Sequence, residues 1–128
     1  ESQALRYGAD RDHSGLTRQL ELILGRMADN QGELERENYL SLDTQFHQAF
    51  FEASGNRFLT EHYNSINSII ETIRHYISQT NDATQTSLKD HRALVEQVAN
   101  GRLEEAVRQL EKHIVNWSRR AILEPVLL

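Results

Sequence analysis

The sequence contains no cysteine, which removes disulfides, thiolate nucleophiles and cysteine-ligated zinc from consideration. It has one proline, Pro125, and six glycines, too few for a sandwich of many short strands and tight turns. No apolar run approaches the roughly 20 residues that a membrane span requires, and no signal peptide is visible. Positive charge is also short. Fourteen Lys and Arg against 19 Asp and Glu give a formal net charge of −5, which argues against general binding to a phosphate backbone. What remains is 128 residues, 38% hydrophobic and 26% charged, enough for one domain with its own core. These values point to a soluble, cytoplasmic domain. The chain opens on Glu1 without a Met, which reads as a fragment or processed chain with part of its function elsewhere.

Almost the whole sequence carries helical periodicity. Helices are expected at 1–9, 14–30, 34–54, 57–80, 84–99 and 102–123. Gly32 closes a polar turn after Asp29, Asn30 and Gln31. Gly55 stands where a helix-ending glycine belongs, and Asn56 can cap the next helix. Asp82-Ala83-Thr84-Gln85 has the form of a capping box, and Asn100-Gly101 separates the last two helices. Connections of two to five residues imply neighbours that reverse direction. The expected fold is all-α, an antiparallel bundle of about six helices forming a single domain over 1–128.

The informative residues are the polar ones that interrupt apolar faces, taking about 100° per residue. On the 34–54 helix, Tyr39, Leu42, Phe46, Ala49, Phe50 and Ala53 form an apolar arc. Asp43 and His47 fall within it, four residues apart and therefore stacked on one side. His91 falls in the middle of the arc made by Leu88, Leu94, Val95 and Val98. His113 lies on the shoulder of the arc made by Val107, Leu110, Ile114 and Trp117. One carboxylate and three imidazoles thus point inward from three helices. A buried unpaired charge is very costly, so Asp43 must be paired, protonated or bound to a cation. A divalent metal satisfies all four groups, and without cysteine the choice is Zn, Ni, Co, Mn or Fe. The competing reading is a hydrogen-bonded polar cluster with an Asp43–His47 intrahelical ion pair. Of the other histidines, His62 reads as core-edge among Leu59, Tyr63, Ile66, Ile69 and Ile73. His75 falls on a polar side, and His13 precedes a helix start.

The run Asp43-Thr44-Gln45-Phe46-His47, then Ala53-Ser54-Gly55-Asn56, then His91 with Leu94 and Val95, then Ala106 and His113, resembles the FCD domain. That is the C-terminal ligand-sensing domain of FadR-type regulators in the GntR superfamily. The resemblance covers nearly the whole chain, most strongly 39–59 and 90–114. A departure is Asn100-Gly101-Arg102, a surface turn where relatives commonly have Gly-Asp. The resemblance implies a helical, usually dimeric bundle in which Asp43, His47, His91 and His113 ligate one divalent metal ion, Zn or Ni ahead of Mn, Co or Fe. Some relatives lack these residues and bind acyl-CoA. Having all four implies a sensor of small carboxylates such as sugar acids, hydroxy acids or dicarboxylates. It also implies that DNA is read by an N-terminal winged helix-turn-helix absent from this chain, and that no membrane is involved.

Four protein ligands leave one or two positions open for an organic acid, which an arginine would grip in bidentate fashion. Arg74 is the candidate, at the edge of an apolar arc, with Asn67 and Tyr63 as further effector-binding candidates; the competing reading lays Arg74 along the surface with its stem packed. Two other classes compete. A helical-bundle metalloenzyme or carrier of the hemerythrin or DinB type needs further inward ligands or a general base. Every carboxylate except Asp43 maps to a polar face or a terminus, so no enzyme is expected. The other is a plain dimerisation bundle without a ligand.

Overall fold

The computed structural model describes residues 1–77 and 81–123 of the chain. These residues form five α-helices and no strand: α1 (Ser2–Ala28), α2 (Arg36–Ser54), α3 (Arg57–Ile77), α4 (Asn81–Ala99) and α5 (Leu103–Leu123). A short 3-10 turn, Glu33–Glu35, leads into α2. The all-α class is as expected, and five helices stand in place of about six because the first two expected helices run on from one another across a kink.

The reason lies at Asp12. Its backbone leaves the helical region, with φ −152° and ψ 70°, and its Oδ1 accepts the Gly15 N–H at 3.0 Å. Asp12 therefore caps the second rod while still ending the first, and no loop separates them. His13, expected before a helix start, is the first residue of that second rod, and its Nε2 lies 2.7 Å from the Val98 carbonyl oxygen. α2 starts at Arg36 rather than 34, because Glu33–Glu35 form the tighter turn. α4 begins at Asn81, three residues before the expected 84. Residues 78–80 of the expected 57–80 helix, the Asp82 side chain of the capping box, and Pro125 lie outside the described residues.

The other boundaries follow the expected chemistry. Gly55 adopts a left-handed conformation at φ 61°, and the Asn56 side-chain oxygen accepts the N–H groups of Phe58 and Leu59 at 3.1 and 3.2 Å. At the end of α4, Gly101 turns left-handed at φ 72°, its N–H bonds the Val98 carbonyl, and the Arg102 N–H reaches back to Gln97. That pair of bonds is the Schellman termination, which satisfies carbonyls the helix would otherwise leave open. With such short turns, α2 and α3, and likewise α4 and α5, reverse direction and pack side by side.

The core runs between α1, α2, α4 and α5. Leu5, Leu16, Leu20 and Met27 of α1 meet Phe46, Ala49 and Phe50 of α2, Leu94 and Val98 of α4, and Val107 and Leu110 of α5. The buried Tyr39 hydroxyl ties α2 to α4 through the Thr84 carbonyl and the Ser87 hydroxyl. α3 packs against α2 and α5 at the margin of this core. No helix among the described residues is long and apolar enough to cross a membrane.

Candidate metal centre

On α2, the four-residue spacing of Asp43 and His47 places both on the side that carries Leu42, Phe46, Ala49 and Phe50, and each is only 1% exposed. α4 brings His91 to the same point, held under the Phe46 ring with centroids 4.2 Å apart. α5 brings His113, whose ring stacks on that of His47 at 5.8 Å. The three histidines each offer a ring nitrogen within 4.8 Å of the other two, so they can hold one metal ion. Asp43 Oδ1 lies 3.3 Å from His91 Nε2 and 3.5 Å from His47 Nε2. Four residues from three helices, separated by up to 70 positions in the chain, therefore converge on one buried spot.

The hydrogen bonds around this spot are incomplete in a specific way. Asp43 Oδ1, His47 Nε2 and both nitrogens of His91 are buried without a hydrogen-bond partner. Orphaned groups of this kind are costly unless something else satisfies them. The outer nitrogens of the other two histidines are engaged. His113 Nδ1–H donates to Asp90 Oδ2 at 2.8 Å, and His47 Nδ1 is bonded to the Glu1 carboxylate. A carboxylate on Nδ1 fixes the tautomer and leaves Nε2 as the basic atom, the arrangement common behind metal-bound histidines. A bound cation would satisfy the inward ones among the unpartnered atoms.

Charge gives the same result. Asp43, Glu1 and Asp90 bring three carboxylates to the cluster against one guanidinium, Arg74, whose Nε lies 3.6 Å from Asp43 Oδ2. With neutral imidazoles the carboxylates outnumber the nearby cations, Arg74 and the Glu1 ammonium, so the cluster favours a further cation. The titration of the groups reflects this crowding. Burial raises the Asp43 carboxyl, but Arg74 and the adjacent histidines outweigh it and hold the group far below the usual carboxylate range. Burial likewise opposes ionisation of Glu1, yet His47 and Arg74 bring it down to about 2. Burial and Arg74 push His47 down, while Glu1 and Asp43 push it up and prevail. His91 is held well below the ordinary histidine value, first by burial, with His113, His47 and Arg74 acting in the same direction and Asp43 against it. A histidine kept neutral is ready to donate its lone pair.

Arg74 points inward and is 6% exposed. It lines a cleft of about 340 Å³ between α3 and α5, together with Glu1, His47, Ile70, Ile73, His113, Ile114, Trp117 and Ser118. Tyr63 and Asn67 share the inward face of α3 but do not line this cleft; the Tyr63 hydroxyl lies beside the Arg74 guanidinium, and the buried Asn67 Oδ1 has no hydrogen-bond partner. His62, expected at the core edge, is exposed, as are Ile66, Ile69 and Ile73. The apolar side of α3 is wider than the surface available to cover it, so only the Tyr63–Ile70–Arg74 edge turns inward. His75 is exposed, 3.8 Å from Glu37.

The family model of the FCD domain matches residues 1–116. The chain belongs to the FCD family. No curated protein and no solved structure matches it. FCD domains are effector-binding regulatory domains of GntR-type regulators, often dimeric and generally not enzymes. In this FCD domain, sequence reasoning did not find Asp90 and Glu1. Asp90 directly precedes His91, which was a usable signal once His91 was suspected. Glu1 precedes the bundle altogether, and only the path of α1 brings it to His47.

Proposed function

We propose that this FCD domain binds one divalent metal ion through Asp43, His47, His91 and His113 and uses it to sense a small organic acid. The observation that carries the reading is the convergence of three buried histidines beside the Asp43 carboxylate, with Asp43 Oδ1, His47 Nε2 and both His91 nitrogens lacking hydrogen-bond partners. Imidazole and carboxylate together suit Zn or Ni, with Mn, Co or Fe as further candidates. When bound, the metal supplies a Lewis-acidic position for a carboxylate. The chain's own residues do the rest. Asp90 and Glu1 hold the outer nitrogens of His113 and His47, and Phe46 packs against His91. Arg74 presents a buried guanidinium with Nη1 unpaired at the edge of the cleft. Tyr63 and Asn67, farther along the same face, are available if α3 shifts when the effector enters.

In this reading the effector draws α3 and α5 together across the cleft and shifts the population of the bundle. The shift passes to a second copy of the domain, and through it to a separate DNA-reading domain, in a cytoplasmic regulator. The exposed Ile66, Ile69 and Tyr76 on α3 offer apolar area for the second copy.

Metal content of protein purified without a histidine tag tests the proposal. About one equivalent per chain is expected in wild type and almost none in the Asp43→Ala/His113→Ala double variant. Absence of metal from a folded wild-type protein would reduce the four residues to a buried polar cluster.

A further inference from the structure

The cleft beside the centre has two chemically different parts. Its polar groups are gathered together: Glu1 and His47 are in contact, His113 stacks on His47, and Arg74 lies against the same carboxylates. The remaining wall is Ile70 and Ile73 from α3 and Ile114 and Trp117 from α5. Its polar atoms are the Trp117 indole N–H and the Ser118 hydroxyl, which donates to the Ile114 carbonyl of its own helix at 3.0 Å. Away from the metal end, the described lining therefore carries no charged side chain and only these two polar groups against four large apolar side chains. Arg74, over nine-tenths buried with Nη1 unpartnered, supplies a cation for a carboxylate at the polar end.

We propose that the effector is a monocarboxylate with an apolar body, branched aliphatic, linear or aromatic, rather than a polyhydroxy acid or a dicarboxylate. The inference rests on the metal-dependent reading above and narrows it. Successive hydroxyls laid against the isoleucine and tryptophan wall lose more hydrogen bonds than the Trp117 indole N–H and the Ser118 hydroxyl can replace. An alkyl or aryl group at the same place covers apolar surface that is otherwise wet: Ile73 is 41% exposed. A second carboxylate would face the same wall with no second cation among the described lining residues. The volume of about 340 Å³ is at the small end of ligand pockets, which suits a short acid rather than a long acyl chain.

Hexanoate and gluconate form a matched pair, each with six carbons and one carboxylate, differing in the hydroxyls. The test is calorimetric titration of both into the zinc-loaded 128-residue chain, with emission of Trp117, its sole tryptophan, as a second readout. Hexanoate is expected to bind at least about tenfold tighter than gluconate and to shift the emission to the blue. In Ile73→Asn the preference should fall below about threefold with zinc content unchanged. Equal or tighter gluconate binding, zinc retention without binding of either acid, or an unaltered preference in Ile73→Asn would each overturn the proposal. Failure of the underlying reading looks different, because the wild-type protein would then retain no zinc. In that case a hexanoate preference in the metal-free protein keeps the effector class, and no preference ends both.

Discussion

α2 and α3 follow one another, with 19 and 21 residues, and both repeat apolar residues at helical spacing, yet α2 buries nine residues and α3 buries two, Tyr63 and Arg74. α2 is pressed against α1 and carries phenylalanine and alanine on that side. α3 touches the bundle along one narrow edge and leaves Ile69 61% exposed. The two helices form opposite sides of the same site. One supplies a fixed carboxylate and imidazole from a tightly packed core, and the other supplies Arg74 from a helix with few buried contacts. Segments of the second kind open at lower free energy and are where ligand-linked motion concentrates. In the proposed reading, the α2 side that would hold the metal is thus built for position, and the α3 side that would meet the effector for adjustment.

The comparison is broken most directly by cutting into α2. Phe50 is fully buried and makes edge contacts with Phe46 and His47. Phe50→Ala is expected to lower unfolding stability by about 3–5 kcal/mol in urea titrations, since a large cavity opens in a rigid core. A loss no greater than that of an α3 substitution would refute the contrast.

Metal addition comes next. Because only the native state assembles the four groups, zinc at about 100 times its dissociation constant should add about 2.7 kcal/mol, read as a rise in melting temperature. In hydrogen exchange the same addition should protect the α2 amides around Asp43 and His47, with the α3 amides slowing further only when an acid is also present.

The acid side sharpens the contrast through His91. Its folded-state proton affinity is depressed, by burial first, so it releases a proton on folding at pH values where the unfolded chain holds one. Below the unfolded value of about 6.5, stability therefore falls as pH falls, by at most about 1.4 kcal/mol per pH unit for this single group. In metal-free protein the stability of wild type relative to His91→Gln should decline from about pH 7.5 to about pH 5.5. His47 is shifted in the opposite sense, but it is present in both proteins and cancels in the difference to first order. A constant difference across that range would show that His91 is not held neutral.

The smallest effect belongs to the exposed side of α3. Ile69→Ala should change stability by no more than about 0.5 kcal/mol, because little surface is uncovered. If wild-type unfolding instead depends on protein concentration and Ile69→Ala weakens that dependence, the α3 face is where two copies meet.

Much of the centre was legible in advance. A polar residue on an apolar helical arc has nowhere to go but inward, so Asp43, His47 and His91 could be placed from spacing alone, and His113 from its position at the arc's shoulder. Gly55, Asn56 and Gly101 likewise mark their turns, since left-handed backbone and exposed helix-start N–H groups have few residue solutions. The break expected between residues 9 and 14 was legible, and the bend falls inside it at Asp12; that the two rods run on without a loop was not, because one aspartate can separate two helices or cap the second half of one, and only neighbouring packing decides. His62 was misplaced for a related reason. Periodicity reports that α3 has an apolar side, not how much of that side another helix will cover.

The sequence by itself determined the helical stretches, the ends marked by Gly55, Asn56 and Gly101, and the inward placement of Asp43, His47, His91 and His113, because periodicity and capping are local properties of the chain. Only the tertiary structure decided that the four groups meet at one point, that Asp90 and Glu1 stand behind two of the histidines, and that Arg74 turns inward while Ile69 stays in water. Those outcomes depend on how helices distant in the chain are oriented against one another. That orientation is set by the summed packing of the whole core rather than by any single segment.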